Sequence, residues 1–356
     1  MARDPRVESA ISHWAPRFVA NGVPLTDFQE VTAGVQRWQD WCSAWCARAA
    51  VHEEIGRKAL ADGYRLSAAQ HLTTAGVCYH FAKFVFVEDY EQMRAAHMKA
   101  VACRNLALPH LRLPGRRVEI PYQGGKLVGN LRLPGGEARA PLVVMCMGLD
   151  SAKEEMDAYE TLFLERGLAT LAFDGPGQGE GEYEYAIRGD YEVAVAAVVD
   201  WVQRCDEVDP SRIGLWGVSL GGYYAPRAAA FEKRVRACIA LSGPYDLGES
   251  WAQLPPLTRD TFRVRAKCQT EVQALAHAAT LSLRGHAQRI ACPLFIVAGK
   301  QDRLVPWQDS ERLAREVCGP VELLMIEDGN HVANNRGYRY RTQSADWMAT
   351  QLGAGR

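Results

Sequence analysis

The hexapeptide Gly217-Val218-Ser219-Leu220-Gly221-Gly222 sets a serine among glycines where the apolar run RIGLWG gives way to YYAPRAAA. A serine on a sharp strand-to-helix corner presents its hydroxyl for nucleophilic attack. The flanking glycines suit such a corner, because its backbone is strained and side chains would collide with the neighbouring strand and helix. The N-terminus of the following helix adds a field that favours an oxyanion. A serine hydroxyl needs a base, and the base needs an acid to orient it. On this kind of corner the chain order is Ser, then Asp, then His. Asp302 in GKQDRLVP, after the apolar run CPLFIVAG, fills the second place. His331 in GNHVANN, after VELLMIEDG, fills the third. Both stand in polar loops at strand ends, where ligand sites of α/β proteins form. Asp246, after VRACIALSG, is an alternative acid. Two amides must also meet the developing oxyanion. One is expected from Leu220, and the other from Leu149 or its neighbour in MGLDSAKEE.

Other chemistry is disfavoured. The segment DGPGQGEGE is rich in glycine but lacks the Lys-Ser/Thr of a phosphate cradle and the spacing of a dinucleotide loop, so it reads as a tight turn. The ten cysteines are scattered, with no Cys-x-x-Cys, and most sit in apolar runs as small hydrophobes. Cys42 and Cys46 are one helical turn apart, but no third ligand stands near them, so no metal and no cofactor is expected. With 41 Lys+Arg against 42 Asp+Glu, the net charge of −1 argues against nucleic-acid binding. No apolar run approaches the ~20 residues that span a bilayer, and MARDPRVESAISHW has no signal-peptide core. A cytoplasmic protein without membrane contact is the expectation.

These residues require a scaffold, and glycine usage divides it. Six of the 31 glycines lie in residues 1–115. That part reads as helices: Val31, Val35, Trp38, Cys42 and Trp45 recur at helical steps, as do residues of 72–84 and 93–100. The segment PHLRLPG breaks the pattern, which sets a helical domain over 1–115 and a second domain over 116–356. In the second, RRVEIPYQ and KLVGNLRLP pair around Gly124-Gly125. Six near-continuous apolar runs then alternate with helical segments, the mark of a parallel sheet covered on both faces. About eight strands are expected, the first two antiparallel. Residues 246–288 read as a helical insertion over the open end of the sheet.

The runs GLDSAKEE, FDGPGQGE, GVSLGGYYAPRAA, AGKQDRLVP and GNHVANN, in that order, resemble the α/β-hydrolases with an all-helical N-terminal cap. This is the FrsA-like and 2,6-dihydroxypseudooxynicotine hydrolase group, and the resemblance covers nearly the whole chain. It implies an α/β-hydrolase fold, Ser219, Asp302 and His331 as a triad, and a site roofed by the N-terminal helices. It also implies an extra carboxylate after the strand that follows the nucleophile helix, for which Glu249 in GPYDLGES is the nearest match. Trp38, Trp41 and Trp45 read as core packing. Tyr79, His80 and Phe81 interrupt a helix of small residues and are candidates to face the substrate. The expectation is a serine hydrolase that cleaves a carbon–carbon bond of a β-diketone or acyl-aromatic, polyketide-like small molecule. Alternatives are a carboxylesterase of bulky esters, an acyltransferase, and a non-catalytic regulator on the same fold. A homodimer is left open.

Overall fold

The computed structural model describes residues 3–136 and 139–354. The chain divides into two units: Met1–Arg117 with Glu154–Tyr159, and Val118–Lys153 with Glu160–Arg356. The division falls two residues beyond the boundary expected from PHLRLPG. It also gives Glu154–Tyr159 to the helical unit, because those residues pair with its helices.

The helical unit holds α1 (Pro5–Ala20), α2 (Leu25–Gly34), α3 (Trp41–Ala61), α4 (Arg65–Lys83) and α5 (Tyr90–Ala107). Asp4 caps α1 by accepting from the Arg6 amide, and Asp89 caps α5 by accepting from that of Gln92. Each satisfies a donor that a helix start leaves unpaired. The stripe from Val31 to Trp45 is not one helix. Gly34 ends α2, Val35 is extended, and a single 3-10 turn at Trp38–Asp40 leads into α3. All five stripe residues are nonetheless buried, so tertiary packing produced the spacing. Phe18 stacks on Phe81 at 3.7 Å and meets Phe28 edge-on at 5.4 Å.

A buried charge cluster ties this unit to Glu155. Arg17 donates to its carboxylate through Nε and Nη2, each at 2.7 Å, and Asn21 donates at 2.6 Å. His80 Nε2 lies 3.1 Å away. Burial alone pushes the Glu155 carboxyl up, but the Arg17 charge and hydrogen bonds outweigh it and hold it well below the usual carboxylate range.

The second unit is built on one eight-stranded sheet. The strands are β1 (Gly115–Tyr122), β2 (Gly125–Arg132), β3 (Ala140–Cys146), β4 (Ala169–Asp174), β5 (Val208–Val218), β6 (Val235–Leu241), β7 (Leu294–Gly299) and β8 (Val321–Ile326). Their order is β1-β2-β4-β3-β5-β6-β7-β8. β2 runs antiparallel to β4, and β3 through β8 are parallel to their neighbours. The β1–β2 turn is Gln123-Gly124, one residue earlier than the sequence suggests, with both φ angles positive as a two-residue hairpin requires. Helices α6 (Asp157–Leu164), α7 (Glu192–Val202), α8 (Gly221–Phe231), α12 (Trp307–Glu316) and α13 (Arg341–Leu352) connect or follow the strands. Between β6 and β7, residues 246–288 form α9 (Leu247–Ser250), α10 (Pro256–Arg265) and α11 (Glu271–Ala278). β3, β4 and β7 are buried along their whole length, which is why their sequences are apolar without alternation.

All ten cysteines are free thiols; Cys318 is exposed, Cys46, Cys268 and Cys292 are partly so, and the rest are buried. Among the described residues no helix is long and apolar enough to cross a membrane.

Candidate active site

Ser219 sits just past the end of β5, immediately before α8, with φ at +56°. This left-handed conformation is costly for a residue with a side chain and persists where its surroundings impose it. The glycines of the motif are sterically required. A Cβ on Gly217 would lie 1.9 Å from the Gly221 carbonyl oxygen, and one on Gly221 would lie 2.1 Å from that of Cys146.

The structure brings Ser219, His331 and Asp302 together. Ser219 Oγ lies 2.8 Å from His331 Nε2, and His331 Nδ1 lies 2.8 Å from Asp302 Oδ2. An ionised carboxylate only accepts, so Nδ1 carries the proton and Nε2 is left to accept from the serine hydroxyl. Asp302 Oδ1 accepts from the amides of Leu304 and Val305 at 2.8 and 3.0 Å, which fixes its second oxygen toward the imidazole. Histidine and aspartate side chains are 4% and 2% exposed, so their attraction is little screened. Val332 and Ala333 follow with positive φ, and the Val332 amide donates to Ser242 Oγ at 3.1 Å. That turn holds the histidine loop against the end of β6.

The alternative acid is committed elsewhere. Asp246 caps α9 by accepting from the Glu249 amide at 3.2 Å and accepts from Ser282 Oγ at 2.8 Å. Glu249 lies at the surface. Its side chain is 53% exposed, lies 3.1 Å from Arg312 and also pairs with Arg284.

Leu149 and Leu220 both line a small cleft that reaches Ser219. The other walls are Pro244, Leu247, Leu254, Thr258, Phe262, Leu304 and Val305, so apart from the serine and one threonine the cleft is apolar. Gly148 lies against the nucleophile: a Cβ there would be 3.0 Å from the Val218 carbonyl oxygen and 3.2 Å from Ser219 Cβ. Tyr79, His80 and Phe81 have partners inside the helical unit. The Tyr79 hydroxyl donates to Glu53 at 2.8 Å, Phe81 stacks on Phe18, and His80 faces Glu155. None of the three lines this cleft.

Sequence reasoning missed the residues that hold the 147–153 loop. Lys153 is fully buried, and its Nζ meets Asp174 at 2.7 Å and Glu180 at 2.6 Å. Its amide donates to Asp174 Oδ1 at 3.0 Å. Buried Gln178 donates to the carbonyls of Met147 and Gly148, and Arg265 donates to that of Leu149. The signal was the glycine-rich run DGPGQGEGE, whose Asp174, Gln178 and Glu180 make these contacts.

A family model described as Esterase FrsA-like matches residues 26–352. The chain is 35% identical over 359 residues to 2,6-dihydropseudooxynicotine hydrolase of Paenarthrobacter nicotinovorans, covering 98% of this chain and 94% of that one. The crystal structure of the 2,6-dihydroxy-pseudo-oxynicotine hydrolase matches with a TM-score of 0.87 and 34% identity over 95% of each chain. The α/β hydrolase xenA of Xenoacremonium sinensis is 32% identical over 225 residues, 59% of this chain and 53% of that one.

Proposed function

The chain belongs to the FrsA-like esterases, hydrolases of the α/β fold with a helical N-terminal region, and on that premise we propose a serine hydrolase that cleaves a carbon–carbon bond next to a carbonyl. The observation that carries the reading is the unbroken hydrogen-bonded chain from Ser219 through His331 to Asp302, with its serine end on an apolar cleft.

In the first step Ser219 Oγ attacks the carbonyl carbon while its proton passes to His331 Nε2. Asp302 keeps the imidazole in the tautomer that can receive it. The oxyanion is met by the amides of Leu220 and Leu149. Collapse restores the carbonyl and breaks the bond to the leaving carbon, which takes the electron pair and the proton from His331. Water then adds to the acyl-enzyme with His331 as base, and the carboxylic acid leaves as Ser219 regains its proton. A bare carbanion is too poor a leaving group for this route, so the departing carbon must delocalise its charge into a second carbonyl or an aromatic ring. A β-diketone or acyl-aromatic meets that condition. The apolar lining suits an acyl part without charge.

A second reading, a carboxylesterase of bulky esters, is supported by Glu249. Glu249, the match to the extra carboxylate the resemblance implies, points to the surface, and an alkoxide leaves without a second carboxylate. A panel pairing aryl esters with 1,3-diketones of the same acyl group separates the two. Labelling of Ser219 by a fluorophosphonate tests the shared premise, since a non-catalytic protein gives none. Product analysis with added alcohol or amine tests acyl transfer.

A further inference from the structure

We propose that Gln178 is a positioning residue, held by Tyr191, that aims the Leu149 amide at the oxyanion. The inference rests on the serine-hydrolase reading above and concerns a residue outside the triad.

Gln178 is 1% exposed and every polar atom of its side chain is engaged. Its Nε2 donates to the Met147 carbonyl and, at 3.0 Å, to the Gly148 carbonyl. Its Oε1 accepts from the Tyr191 hydroxyl at 2.6 Å. The Gly148 carbonyl and the Leu149 N–H belong to one peptide group, and in a trans peptide they point in opposite directions. Holding that carbonyl therefore fixes where the amide points. Gly148 packs against Ser219 and Leu149 lines the same cleft, so the braced peptide borders the serine. The next peptide is held as well, because the Leu149 carbonyl accepts from buried Arg265. Two consecutive peptides are thus fixed before any substrate arrives, which is the preorganisation an oxyanion site needs.

The sequence makes room for this brace. A Cβ on Gly175 would lie 2.0 Å from the Tyr191 hydroxyl and 3.1 Å from Gln178 Oε1. Glycine there admits the tyrosine that holds the glutamine. Tyr191 itself is fully buried and stacks on Tyr224 at 3.8 Å, so its hydroxyl is not free to swing away.

The test uses two inhibitors with one acyl chain. A trifluoromethyl ketone adds Ser219 and forms an oxyanion, whereas the matching secondary alcohol fills the cleft and forms none. Gln178→Met keeps the length of the side chain and removes its donors. It is expected to lower kcat about 30-fold, less than outright loss of an oxyanion donor, with KM within about twofold. Affinity for the ketone is expected to fall by a similar factor, and affinity for the alcohol to stay within about twofold. Tyr191→Phe is expected to act in the same direction more weakly, and the double variant to be no worse than Gln178→Met, because the tyrosine acts through the glutamine. If Gln178→Met does not fold, Tyr191→Phe carries the same comparison. A folded variant with unchanged kcat, or with both inhibitors weakened equally, overturns the brace. If the wild type binds the ketone no better than the alcohol, or Ser219→Ala keeps its activity, the hydrolase reading falls and takes the brace with it.

Discussion

Removing the hydroxyl of Ser219 leaves packing almost untouched and deletes the group that His331 activates. Ser219→Ala is therefore expected to keep the fold and lose about 10⁴-fold or more in kcat. Asp302→Asn is expected to cost a comparable factor, because an amide facing Nδ1 favours the wrong tautomer. Asp246→Asn is expected to leave kcat within about threefold, since Asp246 caps α9, binds Ser282 and pairs with Arg284. Steady-state rates on one aryl ester decide among the three, and a severe Asp246→Asn defect would move the acid. At this scale the grouping of Ser219, His331 and Asp302 was legible, because a strained corner, an acid loop and a histidine loop each leave a local mark. Gln178 and Arg265 were not, since their work depends on which carbonyl they meet across a loop. Glu249 shows the same limit: its distance from a strand end is visible in the sequence, but the direction of its side chain is not.

The elements around the cleft set what it accepts. Phe262 of α10 packs edge-on against Trp251 at 5.4 Å and forms one wall. Phe262→Ala is expected to shift preference toward longer acyl chains across a series of p-nitrophenyl esters. It is also expected to cost about 3–5 kcal/mol of stability. An unchanged preference would place the acyl group elsewhere. In the helical unit, Arg17→Met strands the Glu155 carboxylate in a buried site and is expected to cost about 3–5 kcal/mol by urea denaturation at pH 7. Arg17→Met combined with Glu155→Gln is expected to recover much of that loss. A lone Arg17→Met with wild-type stability would show that the pair contributes nothing. Sequence periodicity found α4 and α5 but fused α2, the Trp38–Asp40 turn and α3. Burial from several directions imitated a single helical stripe, and the break at Gly34-Val35 has no proline to announce it.

Across the molecule, the parallel sheet was the most legible feature, because strands buried on both faces are uniformly apolar. Its response to pH was not. Burial pushes the Asp309 carboxyl up to about 6, with Glu249 and Asp246 adding to the effect and the Tyr245 amide and Arg312 opposing it. A carboxyl raised on folding favours the native state while protonated, and that contribution is lost as pH rises through the native value. Asp309→Asn is thus expected to stabilise the protein by about 1–3 kcal/mol at pH 7–8, from about 1.4 kcal/mol per tenfold preference. The gain is expected to fade toward pH 4. A denaturation series over that range checks it, and a pH-independent gain would assign the effect to packing. Asp302 and Asp309 stand seven residues apart, and only the burial of Asp309 marks it as the one that strains the fold.

The unequal exposure of the ten thiols gives the protein a built-in clock. Cys318 is exposed, while burial pushes Cys103 up to about 12 and raises Cys146 and Cys238 well above the usual thiol range. Only thiolates attack a disulfide reagent at an appreciable rate. Cys318 is therefore expected to react within the mixing time, the partly exposed Cys46, Cys268 and Cys292 to follow, and those of the sheet only when their part of the chain opens. The slow phases of that reaction time the opening of native protein in plain buffer, and because Cys78 and Cys103 lie in one unit and Cys146 and Cys238 in the other, peptide mapping reads both units in a single experiment.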